Sequence, residues 1–222
     1  MSRAEVVIVD YGVGNLFNVQ RSFQHLGAHS EISRDPDAVR TARRLLLPGV
    51  GAFEAGMQHL REYGLIGALR EYAESGRPLL GICLGMQLLM SQSDENGLRD
   101  GLDLVRGRVV RFQGPESETR GFKIPQIGWN ALKRPYGMGS HAASDDRWKD
   151  TVLDGLGVES YVYFIHSYFV VPDDPAVVAA VTDYGKDRFC SVLKKDNLTG
   201  CQFHPERSGE TGLRILKNFV SN

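Results

Sequence analysis

Cys83, His204 and Glu206 are residues that could do nucleophilic chemistry together. Cys83 sits in Gly81-Ile82-Cys83-Leu84-Gly85. The apolar run Pro78-Leu79-Leu80 precedes it, and the helix-like stretch Met86-Gln87-Leu88-Leu89-Met90 follows. This pattern predicts a strand, a one-residue tip and a helix. Glycines flank the tip because the backbone turns sharply there and a neighbouring side chain would clash. The turn lifts the central side chain above the sheet edge, at the positive N-terminus of the next helix. Free N–H groups and the helix dipole favour a thiolate there. Taken alone, Gly-x-Cys-x-Gly fits a small buried cysteine in a tight turn equally well.

The second segment is Gly200-Cys201-Gln202-Phe203-His204-Pro205-Glu206. A cysteine nucleophile needs a base, and the base needs a third group to hold its tautomer. A carboxylate just beyond the histidine can do this if the intervening proline fixes the turn. His-Pro-Glu alone is more often a surface turn. The conjunction with the elbow is what points to acyl-transfer chemistry.

The elements that must position these groups change character along the chain. The first half alternates short apolar runs at 5–9, 28–33, 45–47 and 79–82 with helical patterns at 15–26 and 53–74. Gly27 reads as a helix stop, and Gly64 to Gly67 interrupts the second pattern. This predicts an α/β fold with a mixed, mostly parallel sheet flanked by helices, with ligands outside the C-terminal strand ends. The second half carries runs at 105–112, 131–132, 162–171, 177–182 and 191–193, rich in Val, Phe and Tyr. They read as mainly antiparallel strands. Polar stretches at 113–120 and 134–150 read as loops, and 213–220 as a closing helix.

Composition excludes several classes. A length of 222 residues suits one domain, 1–222, with a sizeable core. A formal net charge of −1 gives no global field for nucleic acid or an anionic membrane. Three cysteines without a framework of spacings argue against a secreted disulfide scaffold. The six histidines show no metal-ligand spacing, so no metal and no cofactor is expected. No apolar run approaches the ~18 residues of a membrane span, and a cytoplasmic protein is the default.

Further segments narrow the reading. They are Asp10-Tyr11-Gly12-Val13-Gly14-Asn15-Leu16, Pro48-Gly49-Val50-Gly51, Pro125-Gln126-Ile127-Gly128-Trp129-Asn130 and Tyr163-Phe164-Ile165-His166-Ser167-Tyr168. With the elbow and His-Pro-Glu, the chain resembles the class I (triad-type) glutamine amidotransferases, a flavodoxin-like fold. Within them it is similar to the glutaminase subunits of imidazole glycerol phosphate synthase in histidine biosynthesis. The matches cover nearly the whole chain. The resemblance implies that Cys83 attacks the side-chain amide of glutamine, with His204 as base and Glu206 as its orienter. It implies an oxyanion hole from the N–H groups of Leu84 and Val50. It puts Gly51, Gln87, Glu95, Tyr163, His166 and Ser167 at the glutamine pocket, with Asp94 left open beside Glu95. Without it, His166 reads as a structural histidine and the aromatic run as sheet core.

The implied partner is a (β/α)8-barrel cyclase subunit that receives ammonia, with Asn15, Lys123, Gln126 and Trp129 on the partner face. Position 126 departs from the family pattern, where His follows Pro125. That keeps open a paralogue feeding a sugar amidotransferase. A catalytically silent regulatory protein on this fold is the other alternative, and the intact Cys83, His204 and Glu206 argue against it.

Overall fold

The computed structural model describes residues 4–113, 123–135, 148–157 and 160–221. Most of the loop readings at 113–120 and 134–150 lie outside the described residues.

The first half follows the expected alternation. Strand β1 (Val6–Val9) leads to helix α1 (Leu16–His25), β2 (Ser30–Ser33), α2 (Pro36–Thr41) and β3 (Leu45–Leu47). Helices α3 (Phe53–Glu62) and α4 (Leu65–Glu74) are separated by Gly64, whose φ of 66° ends one helix and redirects the next. Strand β4 (Leu79–Ile82) enters the elbow, and α5 (Leu84–Leu88) leaves it. Helix α2 was missed in the sequence. Its signal is Asp35, which caps the Asp37 N–H at 3.0 Å, followed by Pro36 in the first turn.

The next strands are β5 (Met90–Ser93), β6 (Arg99–Asp100), β7 (Val105–Arg111), β8 (Gln126–Ala131), β9 (Tyr161–His166) and β10 (Tyr168–Pro172). Then come β11 (Val178–Tyr184), β12 (Asp187–Lys195), β13 (Leu198–Cys201) and helix α6 (Gly209–Ser221). The central sheet has seven strands in the order β11-β12-β13-β4-β3-β1-β2. Its β2, β1, β3, β4 and β13 run parallel, while β11 and β12 pair antiparallel. Strands β1, β3 and β4 are buried along their whole length, as a sheet covered on both faces requires.

Two departures from the expected elements bear on the site. The run at 162–171 is not one strand. It breaks at Ser167: β9 pairs with β8, whereas β10 pairs with β7 in a separate four-stranded sheet. Apolar character continues across the break because both pieces cover core, so composition gave no sign of it. Helix α5 is also shorter than its pattern, because Met90 already begins β5, which pairs parallel with β7.

Candidate active site

The elbow is built by close packing. Ile82 lies opposite Cys201 across the parallel β4–β13 pair, and the Cys83 N–H donates to the Cys201 carbonyl at 2.7 Å. A Cβ on Gly81 would sit 2.8 Å from the Met86 nitrogen, and one on Gly85 would strike the Leu47 carbonyl. Cys83 itself holds φ 53°, ψ −109°, a conformation unfavourable for a side chain with a Cβ. The surroundings impose it, a pattern characteristic of functional turns. Cys83 is 5 % exposed and directly precedes α5.

His204 follows β13 and is equally well held. Its Nδ1 lies 2.8 Å from Glu206 Oε1, and both side chains are buried. Pro205 opens the short 3₁₀ turn Pro205–Arg207 that brings the carboxylate back to the ring. The His204 N–H donates to the Tyr163 carbonyl at 2.9 Å, and its carbonyl accepts from Ser208 Oγ at 2.6 Å. Ser208 Oγ also accepts the Tyr163 N–H at 2.9 Å, which ties the histidine turn to β9. A carboxylate can only accept, so Nδ1 carries a proton and the other ring nitrogen is left for catalysis. That nitrogen, Nε2, is buried, and the Cys83 sulfur is the neighbour that interacts with this ring besides Glu206. Burial disfavours the imidazolium. The neighbouring Cys83 sulfur and the Glu206 carboxylate outweigh burial, and the His204 pKa is raised.

His166 is driven the other way. Its Nδ1 donates to the Tyr168 carbonyl at 2.8 Å, and rings of Phe112 and Phe189 lie 5.0 and 5.1 Å away. Burial, with a smaller contribution from His204, lowers its pKa to about 4 against the Tyr168 hydrogen bond. At neutral pH it is an uncharged ring whose Nε2 is an unpartnered acceptor.

A cavity of about 280 Å³ opens at the elbow. Cys83, Leu84, Val50, Gly51, Gln87, Glu95, His166 and Ser167 line it, joined by Pro125, Ile165 and Tyr168. Five of the six expected glutamine-pocket residues are therefore brought together. Tyr163 is not among them. Its ring lies on the outer face of β9, with Trp129 edge-on at 6.0 Å and the Arg207 guanidinium 4.6 Å above it. Glu95 and Asp94 lie in different places. Asp94 pairs with Arg108 outside the cavity, while Glu95 lines it and accepts the Phe53 N–H at 2.7 Å at the start of α3. Among the described residues no cluster of His, Cys, Asp and Glu could hold a metal ion.

Asn15, Lys123 and Trp129 are exposed, Trp129 at 56 %. Gln126 does not share that surface. It is buried, opposite His166 in the β8–β9 pair, because alternation along β8 turns Ile127 and Trp129 outward instead.

Three contacting residues carry no reading in the sequence analysis. Tyr11 Oη, fully buried, donates to the Pro48 carbonyl at 2.5 Å and pins the turn that bears Val50. Ser208 clamps the histidine. Gln202, also fully buried, places Nε2 3.8 Å from Cys83 Sγ. Its signal was a polar residue between apolar Cys201 and Phe203, two positions before His204.

With this geometry in place, the relatives are informative. A family model described as glutamine amidotransferase class-I matches residues 7–222. The imidazole glycerol phosphate synthase subunit HisH of Syntrophotalea carbinolica is 45 % identical over 215 residues, covering 96 % of this chain and 98 % of that protein. The HisH subunit of Methanosarcina acetivorans is 46 % identical over 216 residues, 97 % of each chain. A crystal structure described as a glutamine amidotransferase superposes with a TM-score of 0.69 at 19 % identity, over 97 % of this chain and 99 % of that one. At that identity the likeness speaks for the fold. The chain belongs to the class-I glutamine amidotransferases and, among them, to the HisH subunits of imidazole glycerol phosphate synthase.

Proposed function

We propose that this chain is the single-domain glutaminase subunit of a two-subunit imidazole glycerol phosphate synthase, acting in the cytoplasm. It hydrolyses glutamine and passes ammonia to a (β/α)8-barrel cyclase. The cyclase uses it to convert a phosphoribulosyl aminoimidazole carboxamide ribonucleotide into imidazole glycerol phosphate and an aminoimidazole carboxamide ribonucleotide. The observation that carries the reading is the elbow cysteine, held at positive φ on the wall of a small cavity beside the buried His204–Glu206 pair.

His204 Nε2 takes the Cys83 thiol proton, and the sulfur attacks the amide carbon of glutamine. The tetrahedral oxyanion needs donors about 3 Å away. The Leu84 N–H, next to the nucleophile, is one, and the Val50 N–H is the other. Gly49 and Gly51 leave that peptide free to reorient, while Tyr11 holds Pro48 in place. His204 then returns the proton to departing ammonia. Water, deprotonated by the same ring, hydrolyses the thioester to glutamate. Glu206 keeps the ring oriented and stabilises its charged form. Gln87 and Glu95 hold the α-amino acid end of glutamine, Glu95 through charge on the ammonium.

The partner docks on the outer face of the β8–β9 ribbon. Ile127, Trp129, Tyr161 and Ile165 are 59, 56, 57 and 37 % exposed and lie on one face of two paired strands, with Ile127 opposite Ile165. A contiguous apolar face of this kind marks an interaction surface. Asn15 and Lys123 extend it, and Gln126 supports it from behind. Cys83→Ala in the assembled complex is the test. Glutamine-dependent synthesis is lost and ammonia-dependent synthesis survives. Equal loss of both in a correctly assembled complex overturns the division of labour.

A further inference from the structure

Gln202 touches the Cys83 sulfur and has no place in the triad. Its amide is fully buried, with Nε2 3.8 Å from Cys83 Sγ and Oε1 3.2 Å from Gln87 Nε2. Gln87 Nε2 in turn lies 2.9 Å from the Tyr168 carbonyl. A main-chain carbonyl can only accept, so Gln87 must turn its NH₂ group to this side. Gln202 must then offer Oε1 to Gln87, which leaves the Gln202 NH₂ facing the sulfur. The orientation of both amides thus follows from one backbone carbonyl. The same carbonyl accepts the His166 Nδ1–H, so it is fixed from two sides.

Besides His204, whose raised pKa owes part of its shift to this sulfur, the Ile165 carbonyl lies 3.9 Å from it, an acceptor, which suits the thiol. An N–H donor suits the thiolate, because hydrogen bonds to a charged form favour that form. We propose that Gln202 is a catalytic residue whose side-chain amide donates to the Cys83 thiolate, held in that orientation by Gln87 and the Tyr168 carbonyl. The proposal rests on the reading of Cys83 as nucleophile. No proton passes through Gln202. His204 removes the thiol proton, and the negative charge left on sulfur meets the amide N–H. When the tetrahedral intermediate of thioester hydrolysis collapses, the carbon–sulfur bond breaks and its electron pair returns to sulfur. The same N–H meets that charge. Because Gln87 also lines the glutamine cavity, the chain of hydrogen bonds runs from the pocket wall to the reacting atom.

The test is Gln202→Met, which keeps the side-chain length and removes the donor. Alkylation of Cys83 by iodoacetamide is followed in the full chain across the neutral to alkaline range. The expected result is about a tenfold slower reaction at neutral pH, with the half-maximal point of the pH profile moved upward and the limiting rate at high pH retained. In the assembled complex, glutaminase kcat falls about tenfold while KM for glutamine stays within about twofold. A merely structural role lowers stability or the limiting rate and does not move the profile. An unchanged profile in a folded variant overturns the proposal. Should the variant fail to fold, the wild-type chain decides. The Gln202 side-chain amide resonances shift with pH in step with the alkylation profile, and they do not in Cys83→Ser. Absence of that correlation overturns the proposal too. A Cys83→Ala variant that keeps full glutaminase turnover removes the nucleophile reading itself. Loss of turnover in Cys83→Ala with an unaffected Gln202→Met removes only the role of Gln202.

Discussion

The elbow and the β8–β9 ribbon both touch the triad, yet they are built on opposite principles. The elbow lies in the middle of a seven-stranded sheet, with every residue of β4 and α5 buried. The ribbon is two strands with one apolar face in solvent, tied to the sheet through the Ala131, Lys133 and Asp183 backbone. Its Tyr163 and Ile165 carbonyls nevertheless receive the His204 N–H and the Cys83 thiol. Cys83 is therefore fixed by dense packing, while part of its support comes from an element whose outer face is apolar and exposed. A partner seated on that face, as proposed, would press on backbone that touches both His204 and Cys83.

The comparison is broken most violently from the rigid side. Gly85→Ala drives a methyl group into the Leu47 carbonyl of the neighbouring strand, where neither backbone can give way. The expected loss is about 4 kcal/mol of stability, read by urea denaturation. A variant as stable as the parent would show that the elbow is looser than its packing implies. Next is the support of the base. Glu206→Gln keeps a partner for His204 Nδ1 but no longer stabilises the imidazolium. Single-turnover thioester formation in the complex drops about 100-fold, less than for His204→Ala. Wild-type rates in Glu206→Gln leave a Cys83–His204 dyad oriented by another group.

The third effect separates two histidines in one small volume. His166 titrates at 6.5 when free and at about 4 when folded. Above pH 6.5 both states hold a neutral ring and its titration has no effect on stability. As pH falls below that, the unfolded chain binds the proton first, so stability declines down to about pH 4 and no further from this group. The full span corresponds to about 3 kcal/mol. His166→Leu removes that part of the acid sensitivity, and the slope of stability against pH between those limits becomes flatter. An unchanged slope assigns the acid sensitivity to other groups. His204 works in the opposite sense: its raised pKa adds stability below its unfolded value, and this is lost as pH rises through the folded one.

The legibility of the sequence follows the same division. The elbow, β1 to β4 and the His204–Glu206 turn were readable because each is set by local constraints: glycines at sharp turns, apolar runs, a proline between base and carboxylate. The ribbon was not. The sequence 162–171 reads as one strand, since Ser167 carries no breaking signal and both halves are apolar on the buried side. Facing depends on register, and a shift by one residue exchanges the faces. Tyr163 was expected at the pocket and lies outside it, while Gln126 was expected at the surface and lies beneath it, for this one reason. Gln202 went unread because its role depends on Gln87, distant in sequence, and on the Tyr168 carbonyl, which no side-chain pattern announces.

Trp129→Ala is the mildest change and the one that sharpens the comparison most. The indole is 56 % exposed, and its described ring neighbour is Tyr163, edge-on at 6.0 Å. Removing it from the free chain exposes little that was buried, so stability changes by no more than about 0.5 kcal/mol. Large aromatic side chains at the centre of an interface typically dominate its energy. The complex with the cyclase should therefore weaken by about 2 kcal/mol, roughly 30-fold in Kd. At saturating cyclase the assembled complex should regain its glutaminase turnover if Trp129 supplies only affinity. A deficit that persists at saturation assigns the indole a part in carrying the partner's pressure through Tyr163 to the His204 backbone. Measuring Kd by calorimetry and turnover against cyclase concentration separates the two. An unchanged Kd removes Trp129 from the partner face and shifts the interface to another part of the ribbon.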